Sequence, residues 1–153
     1  MAEKDKKPRK VEIQNRKAGF NFHIEYRYDA GIMLTGTEVK SIRAGHANIS
    51  DAYCYMEGGE LFIKGMHVSE FSHAGYTSHD PLRDRKLLLN KTELKKIHQR
   101  IREKGMAVFP IRLFENDRGL LKLEIGLGKG KKQFDKRDDI KERDVQRDLE
   151  RYR

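Results

Sequence analysis

Cysteine is nearly absent. Cys54 stands alone among 153 residues, so an internal disulfide is impossible and a thiolate metal cluster is not expected. Nowhere do eighteen apolar residues follow one another, so no membrane span is expected. The opening MAEKDKKPRK is charged with no apolar run behind it, which argues against a signal peptide. A reducing cytoplasm fits this cysteine usage.

Catalytic patterns are missing as well. GLGKGKK follows a strand pattern, but Ile125 stands where a phosphate-binding loop needs its first glycine and Lys132 where it needs a hydroxyl. His67, His73 and His79 recur at a spacing that matches no standard ligand set, so no metal is expected there. Asp80, Asp84, Asp117, Asp138 and Asp139 lie mostly beside Arg or Lys in stretches that read as solvated, which leaves acid–base chemistry unsupported. The sequence therefore reads as a chain without a catalytic centre, a cofactor or a small-molecule substrate.

Basic charge is what the sequence has. Lys and Arg number 33 against 24 Asp and Glu, a formal net charge of +9. Such a surface attracts polyanions, and nucleic acid is the first partner to consider. One modest core fits this length and no more.

Phe20, Phe22, Ile24, Tyr26 and Tyr28 alternate with polar residues, the period of a strand with one face buried. In LTGTEVKSIRAG, Thr35 and Glu38 form a capping box and Gly45 a stop, so a short helix should turn Val39 and Ile42 inward and leave Lys40 and Arg43 exposed. SDAYCYM and ELFIKGMHV flank Glu57, Gly58 and Gly59 and predict a hairpin. Residues 69–85 read as a long loop suited to a contact surface.

Asn90 and Glu93 open a second helix, with Leu94, Ile97 and Ile101 inward and Lys95, Lys96, Arg100 and Lys104 outward. VFPIRLF and GLLKLEIGLG supply the last strands, with Pro110 read as marking an edge or a strand beginning. The expectation is a mainly β domain, a closed or partly closed barrel of five or six strands with short helices.

Residues 1–12 read as a basic flexible arm, 13–130 as the barrel and 131–153 as a basic tail. The tail has little apolar surface and is expected to be disordered alone and helical on a partner. Phe134 stands among Lys131, Lys132, Asp135, Lys136 and Arg137, where no core is available, and suits stacking or docking.

Five blocks, NRKAGFNFHIE, DAGIMLTGTEVKSIRAGHANISDAY, HDPLRDRKLLLNKTEL, GKGKKQFDKR and DIKERD, occur in an order that resembles the small protein B family, the bacterial partner of transfer-messenger RNA. The resemblance implies an oligonucleotide-binding barrel of about six antiparallel strands that holds the tRNA-like domain of that RNA. It also implies delivery to stalled 70S ribosomes for trans-translation, with the tail in the empty messenger channel beside 16S rRNA. By position it assigns RNA contacts to Asp29, Leu88 and Asn90, with Lys40, Arg43, Arg85 and Lys86 nearby. Asp29 stands where some relatives carry glutamate. Asp135, Lys136 and Arg137 match the family's decoding-centre signature, and Phe134 takes the place of a stacking ring. Lys129, Lys131 and Lys132, with Gly128 and Gly130, would form a hinge, and Lys141 and Arg143 would lie further along the channel. Charge alone also fits a ribosomal structural protein, and the carboxylates leave a metal-dependent nuclease as a third reading.

Overall fold

The computed structural model describes residues 10–71 and 79–151. Its first elements are a short strand β1 (Glu12–Gln14), a helix α1 (Arg16–Asn21) and the long strand β2 (Phe22–Ile32). Helix α2 (Gly36–Arg43) leads to β3 (Ala47–Asn48), the hairpin of β4 (Tyr53–Glu57) and β5 (Glu60–Lys64), and β6 (His67–Val68). The remainder is β7 (Arg85–Leu88), α3 (Lys91–Lys104), β8 (Ala107–Glu115), β9 (Leu121–Gly130) and the terminal helix α4 (Gln133–Arg151).

Hydrogen bonding passes from β8 through β4, β5, β7, β2 and β9 and returns to β8. Six antiparallel strands are thus bonded in a ring, with β1 added outside β8, and β3 pairs with β6 in a separate ribbon. The inward positions of these strands build the core: Leu61, Ile63, Leu87, Leu113, Leu123 and Ile125 are fully buried. Ile42 of α2 and Ile97 of α3 pack into the same cluster. Each aliphatic side chain buried this way contributes roughly 1.5–3 kcal/mol. Cys54 belongs to the core, and burial pushes its thiol up.

Both predicted helix starts are present. Thr35 Oγ1 accepts from the Glu38 N–H while the Glu38 carboxylate accepts from the Thr35 N–H, closing the capping box. Asn90 Oδ1 accepts from the Glu93 N–H at 2.8 Å, and Gly105 ends α3 at φ 63°. The hairpin turns through Gly58 and Gly59, both at positive φ, so Glu57 faces Glu60.

Four expectations need correction. Phe20 lies on α1, because Asn15 caps a helix there: its Oδ1 accepts from Lys17 N–H, while its amide donates to the Pro110 carbonyl at 2.8 Å. Pro110 sits inside β8 at a register shift, where a bulge removes the need for its missing donor. ELFIKGMHV is two strands, since the chain turns at Gly65 (φ 81°) and sends His67 and Val68 to the small ribbon. Gly128 and Gly130 are ladder residues of β9 opposite Ile24 and Phe22, which leaves only Lys131 and Lys132 between β9 and α4.

Gly128 is fixed by close approach. A Cβ at this position would lie 1.9 Å from the His23 carbonyl oxygen, beside the bulge between Ile24 and Tyr26. Gly128→Ala must push β2 from β9, and we expect a loss of about 3 kcal/mol, read from the urea midpoint. An unchanged midpoint would mean that the pairing yields without strain.

The tail was expected to lack structure alone; here it is a helix with almost no apolar cover. Ile140, Val145 and Leu149 are 48%, 58% and 66% exposed, so α4 forgoes the burial that holds the ring together.

Candidate nucleic-acid interface

The site begins with strand parity. Residues opposite one another in an antiparallel pair share a face. Gly31 of β2 lies between Leu88 of β7 and Lys122 of β9, and Asp29, two residues earlier, faces Glu124. Asp29 is exposed and Leu88 is 49% exposed. Gly31 makes room for this arrangement, because a Cβ there would come within 3.1 Å of the Leu88 Cβ.

Helix α2 closes the other side. Arg43 Nη2 donates to the Gly119 carbonyl at 3.0 Å, which holds its guanidinium at the β8–β9 turn. Between α2 and the sheet lies an open groove of about 320 Å³ whose lining includes Leu34, Val39, Arg43, Leu88, Leu120 and Lys122. It has an apolar floor with two cations at its rim, a combination that suits a nucleobase and its phosphate.

Lys40 is exposed one turn before Arg43, with its Nζ 5.4 Å from the Phe71 ring centroid. Lys86 pairs with Glu60 at 3.3 Å. Asn90 uses its side-chain carbonyl to cap α3, while its amide group retains donors for a ligand. Lys122 and Leu120 were not singled out from the sequence. The alternation that turns Leu121 and Leu123 inward already turns Lys122 outward, but nothing in the pattern says which outer face meets a partner.

Arg85 is the correction within this set. Its side chain is fully buried, ion-paired through Nε to Glu38 and donating to the carbonyls of Met66 at 2.8 Å and Pro81 at 3.3 Å. An enclosed guanidinium has no surface to offer RNA, so Arg85 serves the interior. Arg83 Nη2 reaches the other Glu38 oxygen at 2.6 Å. Burial alone would raise the Glu38 carboxyl, but hydrogen bonds from Arg83, the Thr35 N–H and Arg85, with the Arg85 charge, hold it down at about 2. Burial likewise pulls Arg85 downward, opposed by Glu38, and the guanidinium stays charged. The network ties α2 to β7 and to the segment before it.

His79 strengthens the tie, its Nε2 at 2.9 Å from the Val68 carbonyl and its Nδ1 at 2.9 Å from Thr37 Oγ1. A carbonyl only accepts, so Nε2 carries a proton. His67 is exposed, and His73 lies outside the described residues. Among the described residues, no three His, Cys, Asp or Glu side chains are grouped to hold a metal. No helix among them is long and apolar enough to cross a membrane.

The tail residues gather elsewhere. The Lys131 N–H donates to the Asn21 carbonyl at 2.8 Å, and its ammonium pairs with Asp139. Lys136 and Arg143 lie 5.8 Å and 5.6 Å from the Phe20 ring centroid. Lys129, Lys132, Arg137 and Lys141 are exposed, whereas the side chains of Phe134 and Asp135 lie outside the described part of α4. From Phe22, where β2 meets the root of the tail, to Gly31 at the groove, the strand runs roughly 30 Å at about 3.3 Å per residue.

Comparison with known proteins matches this chain from residue 12 to residue 153 to the family model described as SmpB protein. The SsrA-binding protein of Bacteroides thetaiotaomicron is 50% identical over 141 residues, 92% of this chain and 94% of that protein. The SsrA-binding protein of Moorella thermoacetica is 46% identical over 142 residues, covering 93% and 92% of the two chains. A solved chain described as "tmRNA-SmpB: a journey to the center of the bacterial ribosome" superposes with a TM-score of 0.67 at 37% identity, covering 80% of this chain and 86% of that one. With the family match spanning ring, groove and tail alike, this chain belongs to the SmpB protein family.

Proposed function

We propose that this chain binds the tRNA-like domain of transfer-messenger RNA and delivers it to stalled ribosomes for trans-translation. One observation carries the RNA-binding half: Asp29, Leu88 and Arg43, with Lys122, share one exposed face around an apolar groove. The similar proteins are named for SsrA binding, and the similar solved chain belongs to a tmRNA–SmpB structure concerned with the bacterial ribosome. The protein acts by binding, in the cytoplasm, without catalysis.

The six ring-bonded strands serve as an oligonucleotide-binding barrel within residues 13–130. Of the basic arm expected over residues 1–12, residues 1–9 lie outside the described residues, whereas Glu12 pairs with Phe114 and the Val11 carbonyl accepts from the Glu115 N–H, so this part belongs to the sheet. Asp29 accepts from base or sugar donors, which a lysine cannot do. Leu88 supplies apolar contact, Asn90 supplies amide donors, and Lys40, Arg43 and Lys86 neutralise phosphates. Residues 131–153 enter the messenger channel near the decoding centre when no messenger fills it. In free solution this segment is disordered, a reading supported by the exposure of Ile140, Val145 and Leu149. Lys129, Lys131 and Lys132 lead into the channel, Phe134 stacks on a ribosomal base, and Asp135, Lys136, Arg137, Lys141 and Arg143 line the path.

The test is binding of the purified chain to transfer-messenger RNA and to an elongator tRNA at two salt concentrations. General electrostatic attachment weakens steeply with salt, whereas fitted contacts keep discriminating. We expect transfer-messenger RNA to be retained at the higher salt while tRNA is released. Equal binding that collapses together would make the protein a nonspecific RNA binder and end this reading.

A further inference from the structure

The outer face of the sheet does not stop at the groove. The register sets Tyr55, Phe62 and Lys86 in one row across β4, β5 and β7, with Tyr53 opposite Lys64 in the neighbouring row. Leu88 follows Lys86 by two residues, so it lies on the same face, and it pairs onward with Gly31. The aromatic rows and the groove are therefore parts of one surface.

These rings are set in place. Tyr55 and Phe62 stack with centroids 5.6 Å apart and planes at 20°. Tyr55 Oη donates to Asp84 Oδ2 at 2.8 Å, which anchors the ring edge. That hydrogen bond pushes the Tyr55 phenol up to about 12, so the ring stays neutral. Tyr53 is 51% exposed, and Tyr55 and Phe62 keep part of their surface in solvent. The nearest cation in the row, Lys86, is shared with Glu60.

Every base has a π face, so aromatic side chains on an open sheet take bases with little regard to sequence. A duplex hides those faces, and only loops and unpaired nucleotides present them. We propose that Tyr53, Tyr55 and Phe62 form a stacking platform for unpaired bases, extending the RNA-binding face from the groove across β7 onto the β4–β5 hairpin. The inference rests on the RNA-binding reading above and deepens it. Because the three rings carry no charge, they hold RNA by stacking, and phosphate contacts are left to Lys86 and the cations of the groove.

That distinction makes the test specific. Affinity of Phe62→Leu and Tyr53→Ser for a transfer-messenger RNA transcript is measured by fluorescence anisotropy over a series of salt concentrations. Each variant is expected to bind about tenfold more weakly at fixed salt, the loss of one base stack. The slope of log affinity against log salt should stay at the wild-type value, since no counterion release is lost, whereas Arg43→Gln should flatten it. Phe62→Tyr, which keeps the ring, should bind as the wild type does. If Phe62→Leu fails to fold, Tyr53→Ser decides alone, because its side chain is half in solvent. Wild-type affinity in both variants overturns the platform and leaves the groove standing; failure of the wild-type chain to prefer transfer-messenger RNA overturns the parent reading and the platform with it.

Discussion

Truncation after Gly130 should leave binding to transfer-messenger RNA within about twofold of the full chain while abolishing tagging of stalled polypeptides, provided that the cut removes few of the phosphate contacts that dominate affinity. Gly130 is the last ladder residue of β9, opposite Phe22, so no ring hydrogen bond is cut. Every buried hydrophobic side chain among the described residues precedes it. The cut removes the Lys131 contact to Asn21 and the two cations over Phe20, all at the end of β2 remote from the groove. Anisotropy with transfer-messenger RNA and a reconstituted tagging reaction on ribosomes stalled on a message without a stop codon read the two halves separately. If the truncated chain lost the RNA, the division of labour between ring and tail would be wrong.

Replacing Glu38 by alanine should cost about 3–5 kcal/mol of stability, because it strands the Arg85 guanidinium in the interior without its counter-charge. Urea unfolding at neutral pH reads this loss. A paired replacement, Glu38→Met with Arg85→Met, should recover most of it, since two apolar side chains replace two charges. Acid gives a second signature. The folded carboxyl titrates at about 2 against an ordinary value of 4.5, so the stability it lends is complete above pH 4.5 and drains away as pH falls toward 2. Glu38→Ala should lack that step, and an unaltered acid profile would show that the carboxylate is not held as described. RNA affinity of the folded fraction should fall too, because α2 carries Lys40 and Arg43 and is tied to β7 through this carboxylate.

Much of the fold was legible in local chemistry. Thr35 with Glu38, Asn90 with Gly105, and Gly58 with Gly59 each announce a boundary through groups a few residues apart, and each stands where it was expected. What was hidden needed partners far along the chain. Phe20 continues the parity of β2 perfectly, yet Asn15, held by the carbonyl of Pro110, starts a helix that takes Phe20 out of the strand. Pro110 looks like an edge residue until the bulge in β8 is known. Glu38 reads as a cap and is one, but its second duty depends on Arg85, 47 residues away. Arg85 looked like a surface cation for the same reason.

The candidate interface was less legible than the fold. Asp29, Leu88 and Asn90 came from family resemblance, and the common face of Asp29 and Leu88 from strand register. Lys122 and the Tyr55–Phe62 row carry no local motif at all, and only the order of strands in the ring brings them to one surface.

The ring also dictates how the protein must come into being. Its first strand, β2, has β9 as a neighbour, with nearly the whole domain strung between them. During synthesis, β2 and β8 each wait with a bare edge until β9 has been made, and such edges invite pairing with other chains. Closing a loop of that length comes late and slowly. A chain cut short before β9 would be a sticky fragment rather than a smaller version of the protein.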